Sequence, residues 1–118
     1  MTSVTIINNS LPEYLISKIK QYSKMPPFRH SYMSWGSDVI KDSSPVLVKD
    51  LDDNFNLEII KHLSNLFPIL KEMQTHCMWY GWPKGSYIPW HNDNNSVAIT
   101  IYLNEYWDDD WGGYFAYK

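Results

Sequence analysis

The chain has 118 residues, enough for one buried core but not for two. Its composition, 44% hydrophobic and 19% charged, is that of an ordinary globular protein. A net charge of -3 with ten scattered Lys and Arg excludes the basic stripe of a nucleic-acid binder. A single cysteine, Cys77, excludes an internal disulfide, no apolar run is long enough to span a bilayer, and the N-terminus lacks a signal-peptide pattern; a cytoplasmic protein with no membrane partner is expected.

Taken in order, Val4-Thr5-Ile6-Ile7 predicts a short first strand ending at Asn8-Asn9. Ser10, three residues before Glu13, has capping-box spacing, so a helix should follow with Leu11, Leu15 and Ile19 on one face and Tyr22 near its end. Met25-Pro26-Pro27 stops it, because proline cannot continue the hydrogen-bond ladder. Residues 28–44 show no sustained period and predict a loop with a short extended piece; Arg29 and His30 lie in it, and the lone loop histidine is read as solvent-facing.

Pro45 to Lys49 predicts a strand. Asp50 to Asn54 then offer several caps for the longest helical pattern, carried by Phe55, Ile59, Ile60, Leu63, Leu66, Phe67, Leu70 and Met73. Pro68 should kink this helix or restart it as a second short one, and His62 falls on its polar side. Thr75 to Tyr80 is strand-like and leads into a turn built from Gly81, Pro83 and Gly85.

The stretch from Gly85 to Ala116 reads as a strand ending at His91-Asn92-Asp93, a polar turn Asn94-Asn95-Ser96, a second strand Val97 to Leu103, an acidic loop, and a third strand after Gly112-Gly113. Residues two apart on a strand share a face, so His91 and Asp93 project side by side. One imidazole and one carboxylate could then touch a single divalent metal, two thirds of a 2-His-1-carboxylate set. The same alternation puts Ala98, Thr100 and Tyr102 on one face and Val97, Ile99, Ile101 and Leu103 on the other. Asp108-Asp109-Asp110 reads as a solvated loop, since three consecutive acids cannot all face one ion.

Six Trp and nine Tyr, most of them between Trp79 and Tyr117, read as filling for a β-rich core, with an aromatic-lined groove as the sharper alternative. Helices followed by consecutive strands argue for an α+β domain spanning 1–118, with 1–74 a mostly helical support and 75–118 carrying the first strands.

Gly85, Ile88, His91 and Asp93, followed by Ile101-Tyr102-Leu103-Asn104, Trp107 and Gly112-Gly113, resemble the Fe(II)/2-oxoglutarate-dependent dioxygenases, specifically the prolyl 4-hydroxylase-like branch. The likeness covers about the last third of the chain, from Tyr80 on. It implies a double-stranded β-helix, a jelly roll buttressed by the N-terminal helices. It also implies Fe(II) held by the catalytic pair His91 and Asp93, with 2-oxoglutarate as co-substrate. Tyr102 matches a tyrosine whose hydroxyl meets the distal carboxylate of 2-oxoglutarate, and Tyr80 matches a second. The implied reaction hydroxylates an unidentified substrate, protein or small molecule, while 2-oxoglutarate is decarboxylated to succinate; a peptidyl prolyl residue is the family's suggestion.

The family completes its triad with a second, distant histidine and clamps 2-oxoglutarate with an Arg or Lys beyond it. Neither stands in this sequence, and Gly85 to Lys118 supplies about three of the roughly eight strands of a jelly roll. The jelly roll is accordingly expected to be incomplete at the C-terminus. Three forms fit that expectation: the first part of a longer oxygenase, a chain completed by a second polypeptide, or a module without catalysis. Two other functions remain open. One is a non-catalytic jelly-roll binding module with an aromatic groove; the other is a hydrolase-like Zn²⁺ site at His91, Asp93 and His76, the ligand number of a catalytic zinc.

Overall fold

A computed structural model describes residues 3–25, 29–31, 46–91 and 96–111. Helix α1 (Glu13–Ser23) is followed by strands β1 (Arg29–Ser31) and β2 (Val46–Asp50), helix α2 (Asp53–Leu66), a 3₁₀ helix Pro68–Glu72, strand β3 (Met78–Gly81) and a 3₁₀ turn Asp109–Trp111. The three strands form one sheet in the order β1-β2-β3. β1 and β2 are antiparallel, with Arg29 opposite Val48 and Ser31 opposite Val46. The described residues fall into two compact units, the first within Met1–Pro27 and Lys49–Trp79, the second within Phe28–Val48 and Tyr80–Ala116.

In the first unit, α1 begins two residues later than a Ser10 cap would require. Pro12 is the N-cap, its carbonyl accepts from the Leu15 and Ile16 amides at 3.0 and 3.1 Å, and the side chain of Ser10 caps nothing. Proline suits this place because its φ of -59° is preset and its missing N–H is not needed there. Leu11, Leu15 and Ile19 are buried on one face, as their spacing of four dictates. Val4 to Ile7 are not a strand: Val4, Ile6 and Ile7 are exposed, and a β-branched tetrapeptide with no ladder partner has little to hold it extended in a sheet.

Helix α2 starts where Asp52 turns its carboxylate back onto the Phe55 amide at 2.8 Å, a side-chain N-cap. Phe55, Ile59 and Leu63 are buried at helical spacing, joined by Leu70 from the 3₁₀ helix. The break between the two helical pieces falls at Phe67, whose φ of -128° and ψ of 82° lie outside the helical region that a following proline disfavours, and Pro68 then opens the next turn. Ser64, also buried, satisfies its hydroxyl on the Ile60 carbonyl at 2.7 Å.

The two helices are tied by Tyr22 against Phe55, with ring centroids 5.3 Å apart, and by a Lys18–Glu58 ion pair at 2.8 Å. The Tyr14 hydroxyl meets His62 Nε2 at 3.0 Å. Each of the buried aliphatic and aromatic side chains contributes on the order of 1.5–3 kcal/mol when withdrawn from water.

Lys49 is the unexpected core residue, only 6% exposed. Its ammonium stands 3.8 Å from the Tyr22 ring centroid and donates to the Tyr22 carbonyl at 2.7 Å and to the Met25 carbonyl. Those carbonyls belong to the C-terminal end of α1, the negative end of its dipole, so peptide groups help to neutralise the buried cation. The Asn56 side chain accepts from the Cys77 amide at 2.7 Å and so fixes the approach to β3 on α2.

Candidate functional site

Of the residues singled out for metal and co-substrate, Tyr80, His91 and Tyr102 all fall in the second unit. Tyr80 is in β3, half-buried, with its ring stacked on Trp82 at 6.3 Å. The chain then reverses at Pro83–Ser86, where the Ser86 amide donates to the Pro83 carbonyl at 2.9 Å. Gly85 takes a φ of +80° at the third position of this turn, a conformation that glycine alone adopts without strain.

From this turn the chain runs through Ile88 and Pro89, both half-buried, to His91, which is exposed. His91 Nδ1 lies 2.7 Å from the Pro89 carbonyl oxygen. A carbonyl can only accept, so Nδ1 carries the proton, and in the neutral ring Nε2 is the lone-pair nitrogen. This backbone bond fixes the tautomer and ring plane in the way that outer-shell partners orient metal-binding imidazoles. Asp93 lies outside the described residues. An imidazole oriented through Nδ1 in this way is a side chain chemically suited to Fe(II) or Zn²⁺.

Tyr102 is 54% exposed, and its ring meets Trp107 edge to face at 6.0 Å. Around it, Ile101 and Leu103 are half-buried while Tyr102 and Asn104 are exposed, the two-residue alternation expected of an extended segment. Neither 86–91 nor 97–103 forms a sheet ladder among the described residues, and Val97 and Ile99 are exposed. The expected pair of strands is therefore not formed among the described residues, because a strand needs a partner that its own sequence does not supply.

His91 is held by Pro89, Tyr80 by Trp82 and Tyr102 by Trp107. Among the described residues, no group of three or more His, Cys, Asp and Glu side chains could hold a metal. His76, the third ligand of the zinc alternative, sits in the first unit with Nε2 3.7 Å from an Asp50 carboxylate oxygen. His62 is likewise occupied by Tyr14.

The aromatic residues depart most from expectation. Tyr87, Trp90, Tyr102, Tyr106, Trp107 and Trp111 are exposed rather than core. The buried set is instead aliphatic with Phe55, since Trp and Tyr carry polar groups that are readily left in water. Trp111 makes a corner with Tyr106 at 5.1 Å and with Trp107 at 6.0 Å, beside the three consecutive aspartates. This corner was legible only as aromatic richness; the signal that could have found it is the interleaving of rings and acids in Glu105-Tyr106-Trp107-Asp108-Asp109-Asp110-Trp111.

Among the described residues, no helix is long and apolar enough to cross a membrane. The sequence matches no protein-family profile, no curated protein and no solved structure.

Proposed function

We propose that this chain carries the metal-binding and co-substrate face of an Fe(II)- and 2-oxoglutarate-dependent oxygenase of the prolyl 4-hydroxylase-like kind. His91 and Asp93 are the metal ligands in this reading, and Tyr80 and Tyr102 the donors to 2-oxoglutarate. The observation that carries it is the 2.7 Å bond from His91 Nδ1 to the Pro89 carbonyl, which turns the lone pair to Nε2 within an H-x-D sequence. When bound, Fe(II) and 2-oxoglutarate supply the oxidising power for hydroxylating a C–H bond.

The chain's own part is binding and orientation. His91 presents a neutral donor in one direction, so little is lost in ordering it when metal arrives. Asp93, two residues on, adds a negative charge that lowers the net charge of the centre. Tyrosine hydroxyls donate to carboxylates, and Tyr102, its ring propped against Trp107, has an exposed face for that role. The third ligand and the basic clamp have no match in this sequence, and the reading assigns them to further chain or to a second polypeptide, which would also pair the segment 97–103 into a jelly roll. The cytoplasm, where Cys77 stays reduced, is the compartment that suits Fe(II).

The exposed rings of the second unit favour one other reading, a binding module that uses its aromatics and no metal. An anaerobic titration with Fe(II) and 2-oxoglutarate separates the two. Chelation gives a visible metal-to-ligand charge-transfer band, which should be lost in His91→Ala and in Asp93→Ala. A chain that gives no band at saturation is not a co-substrate site by itself; if none appears when the missing strands are supplied in trans either, the oxygenase reading of this sequence fails.

A further inference from the structure

The segment from Glu105 to Trp111 combines two features that the metal reading does not use. The first is a corner of three non-coplanar rings. Trp111 meets Tyr106 with centroids 5.1 Å apart and planes at 47°, and Trp107 with centroids 6.0 Å apart and planes at 67°. All three side chains are exposed, Tyr106 by 71%, Trp111 by 47% and Trp107 by 41%, so aromatic surface of differing orientation is turned to solvent at one place. Large apolar rings left in water at one point are a common mark of an interaction surface.

The second feature is charge. Glu105, Asp108, Asp109 and Asp110 lie in this segment with no Lys or Arg among them, and together they exceed the chain's net charge of -3, so the remaining residues are slightly basic. The acidic excess of the protein is thus concentrated on the seven residues that also hold the ring corner. The loop is given a defined shape by its own backbone. Asp108 accepts from the Asp110 amide through its carboxylate at 2.9 Å and from the Trp111 amide through its carbonyl at 2.9 Å, closing the 3₁₀ turn Asp109–Trp111. A ring face attracts a cation through its quadrupole, and acids around it raise the local concentration of cations. Among protein cations, guanidinium is planar, weakly hydrated and able both to stack on an indole and to bond a carboxylate in a fork.

We infer that Tyr106, Trp107 and Trp111, with Asp109 and Asp110, form a docking surface for an arginine side chain presented by a basic peptide segment of a partner protein. The charge complementarity selects a cationic partner over an apolar one. The angled rings select a flat cation with an apolar face over a strongly hydrated ammonium. This surface needs no metal and stands whether or not His91 binds one.

The test uses the full chain without metal, with an acetylated and amidated Gly-Arg-Gly-Arg-Gly peptide and its citrulline counterpart as probes. The indole N–H resonances of Trp107 and Trp111 report binding locally. The arginine peptide should move both, and Trp111→Leu should weaken the interaction about threefold or more. The Asp109→Asn/Asp110→Asn double variant keeps the rings and the Asp108 turn bond, and should weaken it comparably, as should raising salt from about 0.05 to about 0.5 M. Citrulline is nearly isosteric but uncharged. Equal shifts with the citrulline peptide, insensitivity to the two aspartate substitutions, or no saturable shift up to about 10 mM peptide would each overturn the proposal.

Discussion

Replacing Lys49 by methionine should destabilise the first unit although it removes a buried charge. Methionine keeps the length and apolar stem of lysine, so packing changes little, and what disappears is the ammonium. That group donates to the Tyr22 carbonyl at 2.7 Å and to the Met25 carbonyl, and faces the Tyr22 ring at 3.8 Å. The Tyr22 carbonyl keeps a second donor, the Met25 amide at 3.1 Å, so its loss is partial. A charged hydrogen bond is worth about 1.5–3 kcal/mol net, the cation over the ring about 0.5–1, and the cation at the helix C-terminus about 0.3–1. Against these stands relief from desolvating an ammonium that is 6% exposed. The balance should be a loss of about 2 kcal/mol, because the bonds to the Tyr22 and Met25 carbonyls place the ammonium at the negative end of one helix. With a urea dependence of about 1.5 kcal/mol/M, the midpoint followed by far-UV circular dichroism should fall by more than about 1 M at unchanged slope. An unchanged or higher midpoint would mean that desolvation outweighs the bonds and that the helix-end account of Lys49 is wrong.

Asp52→Ala should cost about 1 kcal/mol in the same assay, since the Phe55 amide loses its acceptor, while Asp52→Asn should stay within a few tenths; equal effects would deny the cap. The hydrogen bond from Lys18 holds the Glu58 carboxyl below its ordinary 4.5, and Glu58 in turn holds the Lys18 ammonium above its ordinary 10.5. The pair therefore contributes fully between those values, and its contribution fades as pH falls through the lowered Glu58 value or rises through the raised Lys18 value. Because Lys18 is exposed and Glu58 only half-buried the effect is small and screened: Glu58→Gln should flatten the acid side of the stability profile at low salt and change little in about 1 M NaCl, and an identical acid slope in the variant would contradict the pairing. Burial pushes the Cys77 thiol up, so its reaction with a disulfide dye at mildly alkaline pH should be slower in the native chain than in the denatured one; equal rates would show the thiol to be open.

The parts of the fold written in local sequence were those held by local forces. The α2 stripe from Phe55 through Leu70, the Asp52 cap and the interruption at Pro68 each follow from residues a few positions apart. Capping at α1 was misread because Ser10 and Glu13 have the right spacing, yet Pro12 between them is better preset to begin the helix. The sheet was less legible. Val4 to Ile7 and Val97 to Leu103 have equally good strand composition, yet neither joins a ladder among the described residues, since strand pairing depends on chain far away in sequence. Lys49 was invisible as a core residue because its acceptors are backbone carbonyls, which carry no sequence signature. At the candidate site, the H-x-D spacing pointed to His91, but the tautomer that suits it to a metal comes from the Pro89 carbonyl. The rings from Tyr87 to Trp111 could be assigned to core or surface only by the structure, because Tyr and Trp are at home in both.

The central claim is that His91 offers Nε2 to a metal shared with Asp93, and the most direct measurement reads the two ring nitrogens themselves. Long-range ¹H–¹⁵N correlation of the histidine side chains at about pH 8, above the ordinary imidazole range, reports which nitrogen carries the proton, with His91→Gln identifying the resonances. The account predicts a protonated Nδ1, and an Nε2 resonance that moves when diamagnetic Zn²⁺ is added as a stand-in for Fe(II) but stays in place in Asp93→Ala. A proton found on Nε2, or an Nε2 resonance that Zn²⁺ leaves unmoved, would contradict it.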